Sequence, residues 1–558
     1  MALPPRTPRV LLAAAPFDAR DRPWLALALL PGAVAVAVYL ATNAYPAYGA
    51  GLYAKIATEI AAHGYLLPTR IPGYTADGVP FAYPPLQFYL YAVLIDLGGD
   101  PVAIARFLPS VGFLLALVPT YLLGRDAADS RAAGAATAAL VALNPQILEW
   151  HLSAGGVVRA FAFCYAMVAV YAGYRIYARD GTTGAVPLRR RRGSVLIGAF
   201  AFGLTLLTHP VYSLFVVVSY LLFWLLCDLS VPGFLSGLAV GFGGALLASP
   251  WLAWVLATHG IEIFTAAAGT HGGIGGGADA LAGEISLGVA VALVPACYLL
   301  FRREYLLPAW LVVAELLFRQ PRFAYAVAAV LVPAVVVTAI RARDGGGDVS
   351  GFDIAVGTPD TASEMPDTTV DTPDIALGTP EIDRRAAAAV AIILLGTVVG
   401  GGYFAYEATL PTDPSTPEYA DGEAIEAMAW IAAEAETDAR FVVLGDAAEW
   451  LPALTDRTLL VGYWGVEWKG PEAFERQEAA YESLSTCQSA ECVERITADI
   501  GDERPTHVYV PKGQYTIRGD PAAQFGTIER SFERAAQWER AYENDGVVIY
   551  RSTDAGTG

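Results

Sequence analysis

Three carboxylates lie beside apolar segments, where a general base could serve a reaction at a membrane surface: Asp77, Glu59 and Glu149. A general base needs only to reach the hydroxyl whose proton it takes, so position along the chain leaves all three open. Asp77 belongs to the loop that leads into Pro84 and Pro85, a pair that predicts the start of a helix. For each carboxylate taken singly, a solvated surface position is the simpler interpretation.

Basic residues in the same segments could bind an anionic head group. Arginine binds phosphate through paired N–H donors, and the candidates are Arg159, Arg319 and Arg322. Arg159 lies within an apolar run, where charged side chains are costly and tend to be functional. Arg319 and Arg322 fit the role of interfacial anchors equally well. The remaining candidate binding residues are His209, Lys55, Tyr83 and His151.

The composition predicts the setting of these side chains. Of 558 residues, 55% are hydrophobic and 16% are charged, and the apolar residues come in long blocks. These values indicate an α-helical polytopic membrane protein. About eleven segments have the length of a crossing helix: 24–43, 101–123, 132–150, 157–177, 194–208, 211–227, 233–257, 284–301, 305–318, 323–340 and 386–406. A further helix is expected in the region 84–97, too short for a full crossing.

The distribution of arginine predicts the orientation. If residues 1–23 are cytoplasmic, the arginine clusters fall in inner loops, as the positive-inside rule requires. The membrane domain is then 24–340, with a long first outer loop at about 44–100. Residues 341–385, rich in Gly, Pro, Thr and Asp, are predicted to be a disordered acidic cytoplasmic linker. The last span, 386–406, leads to an extracellular C-terminal region, so the expected location is the cell membrane.

Residues 407–558 are predicted to form an extracytoplasmic α/β domain, because helical patterns alternate with strand-like runs such as RFVVLG and THVYV. A hairpin is expected around Asp545-Gly546. The domain holds 29 acidic and 12 basic residues, and the chain has only three lysines, which is typical of a protein from high salt. Cys487 and Cys492 fit a disulfide outside the cell. The net charge of −19 argues against nucleic-acid binding.

The order of motifs across about 24–340 resembles that of the GT-C membrane glycosyltransferases. The sequence YAKIATEIAAHGYLLPTRIPG precedes PFAYPPLQFYL, and ARFLPS begins the next span. The pattern is most similar to the branch of protein O-mannosyltransferases and lipid A aminoarabinose transferases. The resemblance implies a polyprenyl (dolichyl) phosphate sugar as donor, and a glycan, lipid or protein as acceptor. It also implies inverting transfer on the outer face, with a carboxylate base and basic residues around the lipid phosphate.

The chain departs from this pattern at one position. The family usually has an aspartate shortly before the tyrosine of the first outer helix, where this chain has Gly49, Ala50 and Gly51. Either another carboxylate acts as the general base, or the protein is a catalytically silent relative whose outer domain binds a glycan or protein partner. A transporter is disfavoured, because the spans carry no inverted repeat and no acidic residue in mid-span. Some relatives use a divalent metal, but no ligand cluster in this sequence supports one.

Overall fold

The computed structural model describes residues 17–177, 188–268, 270, 287–318, 320–344, 398–399, 401–403, 406, 416–513, 515–522 and 526–553. Arg319 lies outside the described residues, as do nearly all of the predicted linker 341–385 and most of the predicted last span 386–406. The described chain has a helical part that ends at Asp344 and a mixed C-terminal domain that begins at residue 416.

The helical part contains fourteen described α-helices and one small hairpin. In chain order these are α1 (Arg22–Thr42), α2 (Gly51–Ala62), β1 (Arg70–Ile71), β2 (Val79–Pro80), α3 (Leu86–Asp96), α4 (Pro101–Ala128), α5 (Arg131–Ala142), α6 (Pro145–Leu152), α7 (Gly156–Tyr177), α8 (Leu188–Leu206), α9 (Pro210–Cys227), α10 (Val231–His259), α11 (Glu262–Ala268), α12 (Leu287–Phe301), α13 (Leu306–Phe318) and α14 (Pro321–Asp344).

Apolar helices of crossing length confirm the predicted polytopic helical class. Within the described residues, six helices are long and apolar enough to cross a membrane: Ala19–Thr42, Pro101–Ala128, Gly156–Tyr177, Pro210–Cys227, Val231–His259 and Pro321–Arg341. Shorter apolar helices, α3, α5, α13 and the segment Ala292–Phe301, accompany them. The predicted number of about eleven crossings stays a prediction. The short helix expected at 84–97 is present as α3, directly after Pro84 and Pro85.

The segment 132–150, predicted as a single span, is instead two helices, α5 and α6. The break follows from the residues between them. The Asn144 side chain accepts a hydrogen bond from the Ile147 amide at 3.1 Å, and Pro145 occupies the first turn of α6. Proline is tolerated in a first turn but not in a helix interior, so a new helix starts here. As a result, α6 is a separate short helix that carries Glu149, Trp150 and His151.

The C-terminal domain has the predicted α/β fold. Its main sheet has the order β4-β3-β5-β9-β8, formed by β3 (Arg440–Val443), β4 (Thr458–Leu459), β5 (His507–Pro511), β8 (Trp538–Glu543) and β9 (Val547–Ser552). The β3 strand pairs in parallel with β4 and β5, and β9 pairs antiparallel with β5 and β8. The β8–β9 pair is the hairpin expected around Asp545-Gly546.

Helices and a second hairpin complete this domain. They are α15 (Gly422–Glu434), α16 (Leu451–Thr455), α17 (Pro471–Leu484), α18 (Ala490–Ile500), β6 (Thr516–Ile517), β7 (Asp520–Pro521) and α19 (Gly526–Arg534). The Asp421 side chain caps α15 by accepting a hydrogen bond from the Ala424 amide at 2.8 Å. Cys487 and Cys492 form the expected disulfide.

The first long loop packs directly on the C-terminal domain. Residues of both contribute to one hydrophobic core, in which Ile56 and Phe88 are buried with Trp450 and Leu451. Backbone hydrogen bonds cross the boundary from Tyr48 to the Pro417 carbonyl at 2.7 Å and from Leu459 to the Gly73 carbonyl at 2.8 Å. The α2 helix lies against α16. This packing brings side chains of the C-terminal domain to the start of α2.

Candidate functional site

Two arginines lie over the ring of Trp150. The Arg159 guanidinium, from α7, is 4.9 Å from the centroid of the Trp150 ring, and the Arg322 guanidinium, from α14, is 5.6 Å from it. Tyr48 stacks on the same indole, with ring centroids 5.9 Å apart and an interplanar angle of 4°. Cation–π contact with an indole orients a guanidinium without neutralising its charge. The four side chains thus form a cationic cluster with an aromatic wall.

Neither arginine has an acidic partner at ion-pair distance among the described residues. Arg322 is only 8% exposed, and its Nε has no hydrogen-bond partner in the described part of the chain. One of its terminal nitrogens donates to Gln320 at 2.5 Å. Because buried cations are strongly disfavoured unless they are paired, this arrangement is suited to an anion that completes the site.

Glu149 is the predicted carboxylate that lies beside this cluster. The Tyr48 hydroxyl donates a 2.9 Å hydrogen bond to it, which links the first loop to α6. The carboxylate is half-buried, and it is close enough to Arg322 for their charges to interact. The structure therefore brings Glu149 together with Arg159 and Arg322.

The two predicted histidines reach the cluster through Tyr212. The Tyr212 hydroxyl lies 2.7 Å from Nε2 of His151, whose Nδ1 lies 2.6 Å from the Ile147 carbonyl oxygen. The His209 ring is 5.2 Å from the Tyr212 ring, edge to face, and Arg322 lies 5.7 Å from that ring. His209 also precedes α9 at its N-cap position. His151 and His209 thus both contact Tyr212, the ring over which Arg322 lies.

Lys55 and Glu59 contact one another and the C-terminal domain rather than the arginine cluster. Their side chains form an ion pair of 2.9 Å on α2, and Lys55 also pairs with Asp456. Glu59 additionally lies 3.7 Å from the His63 ring. Lys55 therefore links the first loop to the C-terminal domain, and Glu59 is its ion-pair partner on the same helix.

Asp77 and Tyr83 occupy other positions in the first loop. Asp77 is exposed in the turn between β1 and β2, where its carbonyl accepts from Arg70 and its charge acts on Lys469. The Tyr83 hydroxyl donates to Glu467. No contact of the described residues joins Asp77 to Arg159 or Arg322, so the predicted role of this carboxylate has no geometric support here.

Glu449 is a further carboxylate near the cluster, and no pattern in the sequence around it predicts a functional role. Glu449, from the turn before α16, is 6% exposed and accepts a hydrogen bond from the Leu52 amide in the first turn of α2. A Cβ atom on Gly49 would overlap its carboxylate, and one on Gly51 would overlap its main chain. The two glycines therefore leave room for this residue. Burial, followed by the charge of Asp446, raises the pKa of Glu449 to about 8.

Tyr53 connects Glu449 to the arginine cluster. The charges of Arg159, Glu449 and Glu467 all act on the Tyr53 phenol, and the ring packs on Tyr83 with centroids 6.2 Å apart. Burial also raises the pKa of Glu467, to about 7. Tyr53, Tyr48 and Arg159 are each partly exposed. The site therefore combines two arginines that form no ion pair among the described residues with a buried carboxylate.

Sequence reasoning did not select four residues of this site: Tyr48, Trp150, Tyr212 and Glu449. Trp150 and Tyr48 look like ordinary interfacial aromatics in sequence. Within the described ranges, no three His, Cys, Asp or Glu side chains are grouped so as to hold a metal ion. These residues therefore do not fit a divalent metal, and no step below uses one.

Solved structures with a similar fold were found, although no family model and no curated protein matches the sequence. The oligosaccharyltransferase of Archaeoglobus fulgidus, tethered to an acceptor peptide with the NVT sequon, superposes with a TM-score of 0.55 at 15% identity. The alignment covers 88% of this chain and 69% of that one. The mycobacterial arabinofuranosyltransferase AftD superposes with a TM-score of 0.56 at 14% identity, over 95% of this chain and 41% of that one.

A third similar structure matches over nearly its whole length. ArnT from Cupriavidus metallidurans, in its apo state, superposes with a TM-score of 0.51 at 13% identity, covering 95% of this chain and 98% of that one. Another structure of the same protein contains undecaprenyl phosphate. All three superpose over most of this chain. At these identities the likeness concerns the fold.

Proposed function

Because this chain has the fold of the GT-C membrane glycosyltransferases, we propose that it transfers a sugar from a polyprenyl (dolichyl) phosphate to an acceptor on the outer face of the cell membrane. The observation that carries the proposal is the pair of arginines over Trp150, neither of which has an acidic partner at ion-pair distance in the described part of the chain. The similar proteins include one solved with dolichol-phosphate and one solved with undecaprenyl phosphate. A lipid-linked phosphate is the anion that suits a cationic cluster between membrane helices.

The proposed reaction is a single displacement that inverts the anomeric carbon. The acceptor hydroxyl oxygen forms a bond to that carbon while the bond from carbon to phosphate oxygen breaks. The bonding electrons leave with the lipid phosphate, whose developing charge is stabilised by Arg159 and Arg322. A carboxylate takes the hydroxyl proton. Of the three carboxylates predicted from sequence, Glu149 lies close enough to Arg322 for their charges to interact, so it stays a candidate.

Glu149 has a second effect that follows from its position. Its negative charge interacts with Arg322, which lowers the net positive charge available to the phosphate. Removal of this charge is therefore expected to change donor binding as well as any proton transfer. Arg319, predicted for the same phosphate site, lies outside the described residues and stays a prediction.

The silent relative remains the second candidate, and one observation favours it. The first loop has glycines at the position where the resemblance implies an aspartate, and the C-terminal domain packs into the space that they leave. In that case the cationic cluster would bind a lipid phosphate without transferring its sugar. The two candidates predict the same binding but different turnover.

The test uses the full-length protein in lipid nanodiscs. Dolichyl phosphates carrying tritiated mannose, glucose or arabinose are offered, and both transfer and release of free sugar are measured. Binding of tritiated dolichyl phosphate is measured in parallel. Arg322→Ala is compared with Arg302→Ala, which removes an exposed arginine between α12 and α13. We expect Arg322→Ala to abolish binding and transfer, and Arg302→Ala to retain both.

The outcomes separate the two candidates. Turnover that depends on Arg322 supports the glycosyltransferase. Binding that depends on Arg322 without turnover of any donor supports the silent relative. Equal binding by both variants would contradict the phosphate site itself.

A further inference from the structure

The residue that meets α2 at its first turn comes from the C-terminal domain. Gly49 and Gly51 lack side chains, and the carboxylate and main chain of Glu449 fill the space that those side chains would need. Tyr74 fixes this approach, because its hydroxyl donates to the Glu449 carbonyl at 2.6 Å. Tyr74 thus fixes the main chain of Glu449, and the Leu52 amide of α2 donates to its carboxylate.

This place is close enough to the cationic cluster for Arg159 and Glu449 to interact through their charges. The charge of Arg159 acts on the Glu449 carboxylate, and both charges act on the phenol of Tyr53, a residue with part of its surface exposed. Among the described residues Glu449 forms no ion pair with either arginine, so the carboxylate and the cations occupy separate positions. An inverting displacement needs such a separation, since the base and the leaving group act on opposite sides of the reacting carbon.

We propose that Glu449 is the general base of this transfer, supplied by the C-terminal domain in place of an acid in the first loop. The inference rests on the proposed function. Glu449 takes the proton of the acceptor hydroxyl as its oxygen bonds to the anomeric carbon, and the lipid phosphate leaves toward Arg159 and Arg322. The proton passes to solvent after the product departs. Glu149 then acts on donor binding through Arg322.

The surroundings of Glu449 suit this task. Burial and the neighbouring Asp446 raise the pKa of Glu449 to about 8, so the ionised form is a stronger proton acceptor than an exposed glutamate. Asp446 is itself fixed by the Arg518 and Gly519 amides at 2.7 and 2.9 Å. The titratable and charged groups that interact with Glu449 are Asp446, Arg159, Tyr53, Tyr74, Tyr419 and Tyr463.

The test compares Glu449→Gln with Glu418→Gln in the full-length protein. Glutamine keeps an oxygen that can accept from the Leu52 amide, so the cap on α2 is retained while the base is lost. Glu418 is the matched control: it is a half-buried carboxylate of the same domain that accepts from the Tyr45 amide of the first loop at 2.9 Å. Turnover of the dolichyl phosphate sugars, binding of tritiated dolichyl phosphate and thermal unfolding are measured for each variant.

We expect Glu449→Gln to lower kcat by about a hundredfold or more, the contribution typical of a general base, with dolichyl phosphate binding unchanged. Wild-type kcat/KM should rise with pH and level off above about 8, and Glu418→Gln should follow the wild type. Turnover by Glu449→Gln within tenfold of wild type would overturn the proposal. So would a wild type that binds dolichyl phosphate but turns over no donor. A wild type that does not bind dolichyl phosphate would instead refute the proposed function.

Discussion

The Lys55 ammonium lies 2.9 Å from the Glu59 carboxylate, one turn further along α2. Lys55 is 4% exposed and also pairs with Asp456 of the C-terminal domain. A buried ammonium needs its acidic partners, so the charge of Glu59 serves the domain interface. In this structure, two residues predicted from sequence to act on substrate act on one another.

Glu59→Gln should therefore weaken folding and leave turnover nearly intact. The substitution removes one charged hydrogen-bond partner of Lys55 while Asp456 remains, so the expected loss in free energy of unfolding is about 1–3 kcal/mol. Thermal unfolding and transfer are measured together, with the exposed Glu262→Gln as control. A large loss of turnover at unchanged stability would restore Glu59 as a candidate base.

Replacement of Trp150 should weaken binding of the lipid phosphate. The indole holds the guanidinium groups of Arg159 and Arg322 on its faces, and each such contact is worth roughly 0.5–2 kcal/mol. Trp150→Leu removes this contact from both arginines, and we expect dolichyl phosphate to bind about tenfold more weakly. Trp150→Phe keeps a smaller aromatic face and should lose less. Equal affinity of all three proteins would show that the indole does not position the arginines.

The membrane class and the C-terminal α/β fold could be predicted because they depend on local patterns. Long apolar blocks specify crossing helices, and the turn residues Asp545-Gly546 specify the hairpin β8–β9. The break at Asn144-Pro145 is also a local signal, but the apolar run on both sides concealed it. The orientation of the chain in the membrane stays a prediction.

The candidate site could be predicted only in part, because it depends on contacts between distant segments. Arg159 stood out as a charge within an apolar run, and it lies in the cationic cluster. Glu449 could not be predicted in this way, because the residues next to it in the sequence form no motif or apolar run that sets it apart from other acidic residues. Its position becomes clear only when Gly49, four hundred residues earlier, is found to have no space for a side chain.

The stability of the protein should depend on pH through Glu449. Its pKa in the folded protein, about 8, lies above the ordinary value of 4.5, so folding favours the neutral carboxyl. The stability from this group is then fully present below about pH 4.5 and is lost as the pH rises through about 8. We expect the Tm of the wild type to fall over this range and the Tm of Glu449→Gln to fall less.

Glu467 provides the comparison for that measurement. Its pKa is raised to about 7, so its contribution to the stability of the fold is lost at a lower pH than the contribution of Glu449. Glu467→Gln should flatten the lower part of the Tm profile and leave the upper part unchanged. Identical profiles for wild type and Glu449→Gln would contradict a neutral Glu449 in the folded protein at neutral pH.

A carboxylate placed in the first loop at position 49 should restore turnover to a variant that lacks the Glu449 carboxylate. A side chain on Gly49 would overlap the Glu449 carboxylate, so Gly49→Asp alone is expected to disturb the packing of the first loop. Glu449→Ala removes that obstacle together with the proposed base. In the double variant, Asp at position 49 occupies the vacated space near Tyr53 and Arg159. We expect Glu449→Ala to be inactive and the double variant to regain part of the turnover. A double variant that folds and binds dolichyl phosphate, yet is as inactive as Glu449→Ala, would show that a carboxylate at this place is insufficient.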